Sequence, residues 1–92
     1  NKFSEKQVIS RTYVIQIGAF NDEKNAEKYS NSAKNKFIGH DITLKNIDGL
    51  YKIRLGNFLS KEEAINYLNI AKDAGFSDSF VVELTYLKQE NK

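Results

Sequence analysis

Few side chains in this sequence can do chemistry, and their spacing excludes more than it proposes. His40 is the single histidine, set in a Gly39-His40-Asp41 connection, and there is no cysteine. A nucleophile–base pair needs a second such group and a zinc site needs several, so hydrolytic and thiolate-metal chemistry both lack their residues. The adjacent carboxylates Asp22-Glu23 and Glu62-Glu63 stand where helices begin and are explained by capping. Gly18 and Gly56 are single glycines outside any GxGxxG or Walker spacing, so no phosphate cradle is expected. What is left is a set of long polar donors, Gln16, Lys52 and Arg54. They suit an extended ligand rich in hydroxyls and amides, held without being transformed. A binding domain is expected, with no cofactor and no metal.

The elements that must position these donors are written twice. Tyr51-Lys52-Ile53-Arg54-Leu55-Gly56-Asn57-Phe58 stands thirty-eight positions after Tyr13-Val14-Ile15-Gln16-Ile17-Gly18-Ala19-Phe20. Tyrosine, glycine and phenylalanine recur, with apolar residues at matching places. The same offset pairs Ala26 with Ala64, Tyr29 with Tyr67, Asn31 with Asn69, Ala33 with Ala71 and Lys34 with Lys72. The chain therefore reads as two copies of one strand–turn–helix unit.

Taken in order, residues 1–12 are polar with isolated apolar positions and read as a linker or leading segment. From Tyr13 the two-residue period of a strand sets Tyr13, Ile15 and Ile17 inward and Val14, Gln16 and Gly18 outward. Asn21 and Asp22 cap a helix whose stripe is Ala26, Tyr29, Ala33 and Phe37, ending near Gly39. Ile42–Lys45 is a short strand, and Asp48-Gly49 supplies a tight hairpin turn into the strand Tyr51–Leu55. There Tyr51, Ile53 and Leu55 face inward, and Lys52, Arg54 and Gly56 outward. Ser60-Lys61-Glu62-Glu63 is a capping box. It opens a helix that buries Ala64, Tyr67, Leu68 and Ala71 and ends at Gly75. Ser79–Leu84 is the last strand, with Phe80, Val82 and Leu84 on one side, and 87–92 form a charged tail. This order predicts an α+β domain over residues 13–86. Its βαββαβ arrangement is ribonucleoprotein-like (ferredoxin-like), a four-stranded antiparallel sheet with both helices on one face. The other face is expected to meet solvent, carrying Gln16, Lys52 and Arg54 with room above Gly18 and Gly56.

Ninety-two residues form one domain with a single core. Lysine and arginine number 14 against 12 acids, a net charge of +2, well short of the basic stripe that nucleic-acid binding uses. RNA-recognition modules share the strand order but stack bases on outward aromatics of the central strands. Here Tyr13 and Tyr51 share the inward parity, so no nucleic-acid partner is expected. No apolar run is long enough to span a bilayer. Beginning at Asn1 rather than methionine, the sequence is expected to be part of a longer protein, monomeric, with no membrane contact of its own.

These residues resemble the SPOR domain. The resemblance rests on Tyr13 to Phe20 and Gly49 to Phe58, each followed by a helix with an early alanine at Ala26 or Ala64. Ala74-Gly75-Phe76 and the strand Phe80-Val81-Val82 close the pattern. It spans about Thr12 to Leu84. The resemblance implies a domain of the bacterial cell envelope that binds peptidoglycan, favours glycan strands stripped of stem peptides, and so marks the division septum. It implies that any hydrolase activity belongs to another domain of the parent protein. The family's first-strand glutamine falls on Gln16, and a third-strand arginine or glutamine falls on Arg54. The implied glycan-binding set is Gln16, Arg54 and Lys52, bordered by Val14, Gly18, Ala19 and Leu50. Leu50 stands where some members carry an aromatic residue, a departure at a place where a sugar ring would stack. Two other readings stay open. One is a protein-interaction module of the division machinery, docking on the helical side; the other is single-stranded RNA binding.

Overall fold

The computed structural model describes residues 5–91 of the chain, with side chains from 9 to 87. The elements are β1 (Glu5–Phe20), α1 (Glu23–Lys36), β2 (Ile42–Ile47), β3 (Leu50–Phe58), α2 (Lys61–Asp73) and β4 (Phe80–Asn91). They form one antiparallel sheet in the order β2-β3-β1-β4. The two copies of the repeat thus supply the two central strands, and α1 and α2 lie on the same face.

Local chemistry explains each boundary. Asp22 accepts a hydrogen bond from the Asn25 amide at 3.0 Å, and Ser60 accepts one from Glu63 at 3.1 Å. Both are N-cap bonds to otherwise orphaned donors. The β2–β3 hairpin turns on Asp48 and Gly49, with φ of 54° and 90°, and Asn46 Oδ1 accepts from the Gly49 amide at 3.2 Å. Two successive positive φ values give the turn that matches the twist of paired strands. On the helix face Ile15, Ile53 and Leu55 are fully buried, packed against Ala26, Ala33, Ala64, Ala71 and Phe76. All four alanines are fully buried, so both helices are seated directly on the sheet.

Four expectations are corrected. The segment from Glu5 to Thr12 is strand rather than linker, and the segment from Leu87 to Asn91 is strand rather than tail, paired from Glu5↔Asn91 to Thr12↔Leu84. β3 meets β1 only from Tyr13, so this pairing projects as a two-stranded ribbon from a molecule 52 × 29 × 20 Å in extent. Residues 1–4 and Lys92, the rest of the expected leading segment and tail, lie outside the described residues.

The outward positions of β1 are also not open. Val14 is only 4% exposed and Gln16 only 9%. Finally, Gly18 does not face outward. The β1–β3 register steps from Gln16↔Arg54 to Gly18↔Ile53, so Ile17 is an extra residue, a bulge, and the alternation inverts behind it. The space over Gly18 is taken from the helix side: a Cβ there would stand 2.7 Å from the Tyr29 ring. The Tyr29 hydroxyl donates to the Ile17 carbonyl at 2.9 Å, satisfying the bulged residue.

Candidate functional site

The sheet face turned away from the helices carries the sequence-predicted donors, and the register places them. Gln16 on β1 stands directly opposite Arg54 on β3, and Arg54 Nε donates to Gln16 Oε1 at 3.2 Å. That bond explains how a glutamine sits so deep, since a buried carbonyl oxygen needs a donor. It also fixes the guanidinium by one nitrogen, and among the described residues its two terminal nitrogens have no hydrogen-bond partner.

The Gln16–Arg54 pair divides two depressions. On the β2–β3 side lies a groove of about 210 Å³ lined by Val14, Thr43, Lys45, Lys52, Arg54 and Leu84, with Asp41 at its margin. Val14 and Leu84 form its apolar floor. Three cations against one carboxylate make it an anion-attracting surface, in a partly enclosed setting where charges are screened less than on open surface. Its oriented guanidinium suits a carboxylate, taken through paired N–H donors.

On the other side, where β1 passes the start of β4, lies a cleft of about 380 Å³ lined by Gln16, Ala19, Tyr29, Ser77, Asp78 and Phe80. Phe80 is 50% exposed. Tyr29 packs its ring against Phe20 and Phe76, with centroids 5.0 and 5.4 Å away. Burial, and secondly the negative charge of Asp78, hold its phenol above the ordinary tyrosine range. This cleft was missed by the sequence reading. Its one local signal was the run Phe80, Val82, Leu84, which alternates with Val81 and Glu83 without saying which side is inward. The structure settles that: Val81 packs on the core, while Phe80 and Val82 pair with Gln16 and Val14 and so share their outer face.

Of the other predicted residues, Lys52 lines the groove, and Ala19 and Gly18 line the cleft. Leu50, half-buried at the start of β3, lines neither. His40 is engaged elsewhere, its ring against Tyr67 at 4.5 Å with Nε2 hydrogen-bonded to the phenol. No cluster of three or more histidine, cysteine or acidic side chains that would hold a metal occurs among the described residues. Among them, no helix is long and apolar enough to cross a membrane.

Fold and face together define a small α+β domain of two repeated units, with a grooved, partly basic sheet surface left free of helices. The chain belongs to the SPOR domain family, which it matches over residues 10–83. It is similar to the peptidoglycan-binding domain of the Bacillus subtilis cell wall lytic enzyme CwlC, known from a solution structure. The two share 40% identity at a TM-score of 0.69, over 82% of this chain and 91% of that one. It is also 28% identical over 74 residues to the endolytic peptidoglycan transglycosylase RlpA of Yersinia pestis. That match takes in 80% of this chain and 20% of the relative, so the chain spans about one fifth of that protein's length.

Proposed function

We propose that this domain binds peptidoglycan through the outer face of its sheet, prefers glycan strands without stem peptides, and directs its parent protein to the division septum in the cell envelope. In this reading it is a targeting module that performs no reaction; any hydrolase activity resides in another domain of the parent. The observation that carries it is the groove beside Gln16 and Arg54, in a chain 40% identical to the peptidoglycan-binding domain of CwlC.

The chemistry of the preference follows from the groove. Removing a stem peptide frees the lactyl carboxylate of each N-acetylmuramic acid, which the Arg54 terminal nitrogens, with Lys52, would take in a charge-assisted pair. An intact stem caps that carboxylate as an amide and adds bulk over a shallow groove. Selection then has an electrostatic and a steric cause. The Gln16 amide NH₂ group is left to donate to acetamido or hydroxyl oxygens.

Co-sedimentation with sacculi, before and after amidase treatment, tests this reading. Pelleting that rises with amidase treatment is expected; no pelleting with either preparation would sink it. A protein-interaction role draws on one observation, that Ile65 and Ile70 of α2 are 41% and 50% exposed. Ile65→Ser and Ile70→Ser leave sacculus binding intact if that surface serves another partner. For RNA, the outer positions of the two central strands are Val14, Gln16, Lys52 and Arg54, and none offers a ring for a base to stack on.

A further inference from the structure

The two depressions beside Gln16 and Arg54 have opposite electrical character. The groove gathers Lys45, Lys52 and Arg54. The cleft at the β4 end holds no lysine or arginine; its one charged side chain is the Asp78 carboxylate, and the half-exposed Phe80 and Ser77 line the same cleft. Asp78 has no basic partner within ion-pair distance among the described residues, where the one such pair is Arg11–Glu83 at 3.2 Å on the ribbon. Lys36, on α1, is turned instead to the Ala74 carbonyl at 3.2 Å. A free carboxylate and an exposed aromatic ring in one cleft are the groups that recognise an ammonium carried on a sugar ring. The acid takes the N–H donors, while the aromatic ring meets the apolar face of the sugar and the charge.

We propose that the cleft formed by Asp78, Phe80 and Ser77 is a second subsite, taking the free ammonium of a de-N-acetylated amino sugar on the glycan strand. This rests on the peptidoglycan reading above and goes beyond it. Muramic carboxylates and glucosamine nitrogens lie on alternate sugars of one strand. A strand can therefore be seated with a lactyl carboxylate in the groove and a neighbouring sugar's ammonium in the cleft, on either side of the Gln16–Arg54 pair. The opposite charge of the two depressions makes the site read the acetylation state of the chain as well as its freed carboxylates.

The test uses the 92-residue domain with two probes of equal length, a glucosamine oligomer and its fully N-acetylated counterpart, followed by amide chemical shifts. The glucosamine oligomer is expected to shift the amides of Ala19 and of residues 77–80, and to bind about two- to fivefold more tightly, the range that an exposed cation–aromatic contact supplies. Asp78→Asn is expected to erase that preference, and Phe80→Ala to weaken both oligomers. Both positions are exposed, and an unchanged remainder of the amide spectrum verifies the fold. Equal affinity for the two probes, or a preference that survives Asp78→Asn, would overturn the proposal. So would stronger shifts of the same amides by a free stem peptide bearing an unacylated diamino acid, since the ammonium would then come from peptide. Sacculus pelleting is read in parallel with the wild-type domain. If sacculi pellet while the oligomers are not distinguished, this inference fails alone; if sacculi do not pellet, the wider function fails first.

Discussion

The two copies of the repeated unit are alike where they face the helices and unlike where they face away. Ile15 and Ile53 are equivalents thirty-eight positions apart, and both are fully buried. Asp22 and Ser60 are equivalents and cap α1 and α2 in the same way. Phe20 against Tyr29 recurs as Phe58 against Tyr67, with centroids at 5.0 and 5.4 Å. Gln16 and Arg54 are equivalents too, and they stand opposite each other. An approximate two-fold axis thus passes between two residues that are not the same.

Away from that axis the symmetry fails at the edge strands. Ile42 and Leu44 of β2 pack on the core, whereas their counterparts Phe80 and Val82 on β4 lie on the outer face. The repeat makes the core symmetric, and a one-residue slip in one edge strand, which turns every side chain over, puts Phe80 and Val82 on the outer face, so that an apolar side, next to the turn that carries Asp78, stands against the basic groove. A ligand with two distinguishable ends is what such a face can orient.

The largest effects should fall where the copies agree. Ile15→Ala and Ile53→Ala are each expected to cost about 2–5 kcal/mol in urea unfolding, the range for emptying a well-packed site. A cost falling on one of them alone would break the symmetry of the core.

Next comes the pair on the axis. Arg54→Ala should lose about 1.5–3 kcal/mol of binding to amidase-treated sacculi. It should also lower stability by about 1 kcal/mol, because the deeply set Gln16 carbonyl loses its donor. Lys52→Ala should weaken binding without touching stability. Normal sacculus binding by Arg54→Ala would remove that residue from the site.

The glycines sharpen the comparison further, because equivalent positions are small for different reasons. Gly56 has φ of 84° and lies under the Phe58 ring, while Gly18 is confined by side-chain rings alone, Tyr29 most closely and then Phe20. Each alanine substitution should cost about 1–3 kcal/mol from crowding, and at Gly56 a further ~1–2 kcal/mol from the left-handed backbone. In a Tyr29→Ala background the Gly18→Ala cost should shrink and the Gly56→Ala cost should stay, as read by thermal unfolding. Equal rescue of both would refute the distinction.

The smallest effect is in pH. Tyr29 is held above its ordinary value of 10.0, so the fold favours the neutral phenol. Its contribution is intact below pH 10 and is lost as pH rises through the raised value. Stability should therefore fall across that alkaline range, and Tyr29→Phe should flatten this part of the curve. An unchanged slope would place the alkaline loss in other groups.

Most of the fold was legible because its signals are local. Both caps, the Asp48-Gly49 turn and the alanine stripes come from residues within a few positions of one another. Gln16, Lys52 and Arg54 were placed on the correct face by strand alternation alone. What escaped is what depends on pairing. The bulge at Ile17 inverts the alternation without any change in residue type, which is why Gly18 was assigned to the wrong side. The Gln16–Arg54 bond needs the inter-strand register. The cleft joins the end of β1 to the turn before β4, and neither segment announces the other. The ribbon from Glu5 to Thr12 is held by backbone hydrogen bonds and lies beyond the helices, so it shows none of the apolar alternation that burial imposes.

That ribbon sets how the domain would carry a load. Glu5 lies beside Asn91, at the end of β1 remote from the cleft. Tension drawn between Glu5 and a strand clamped over Gln16 would run lengthwise along β1 and strain many ladder hydrogen bonds at once, in shear. Tension drawn between Glu5 and Asn91 would instead part the same ladder one rung at a time, like a zip. Anchored from the β1 side, the domain would grip as a rope cleat does; pulled by both ends, it would peel.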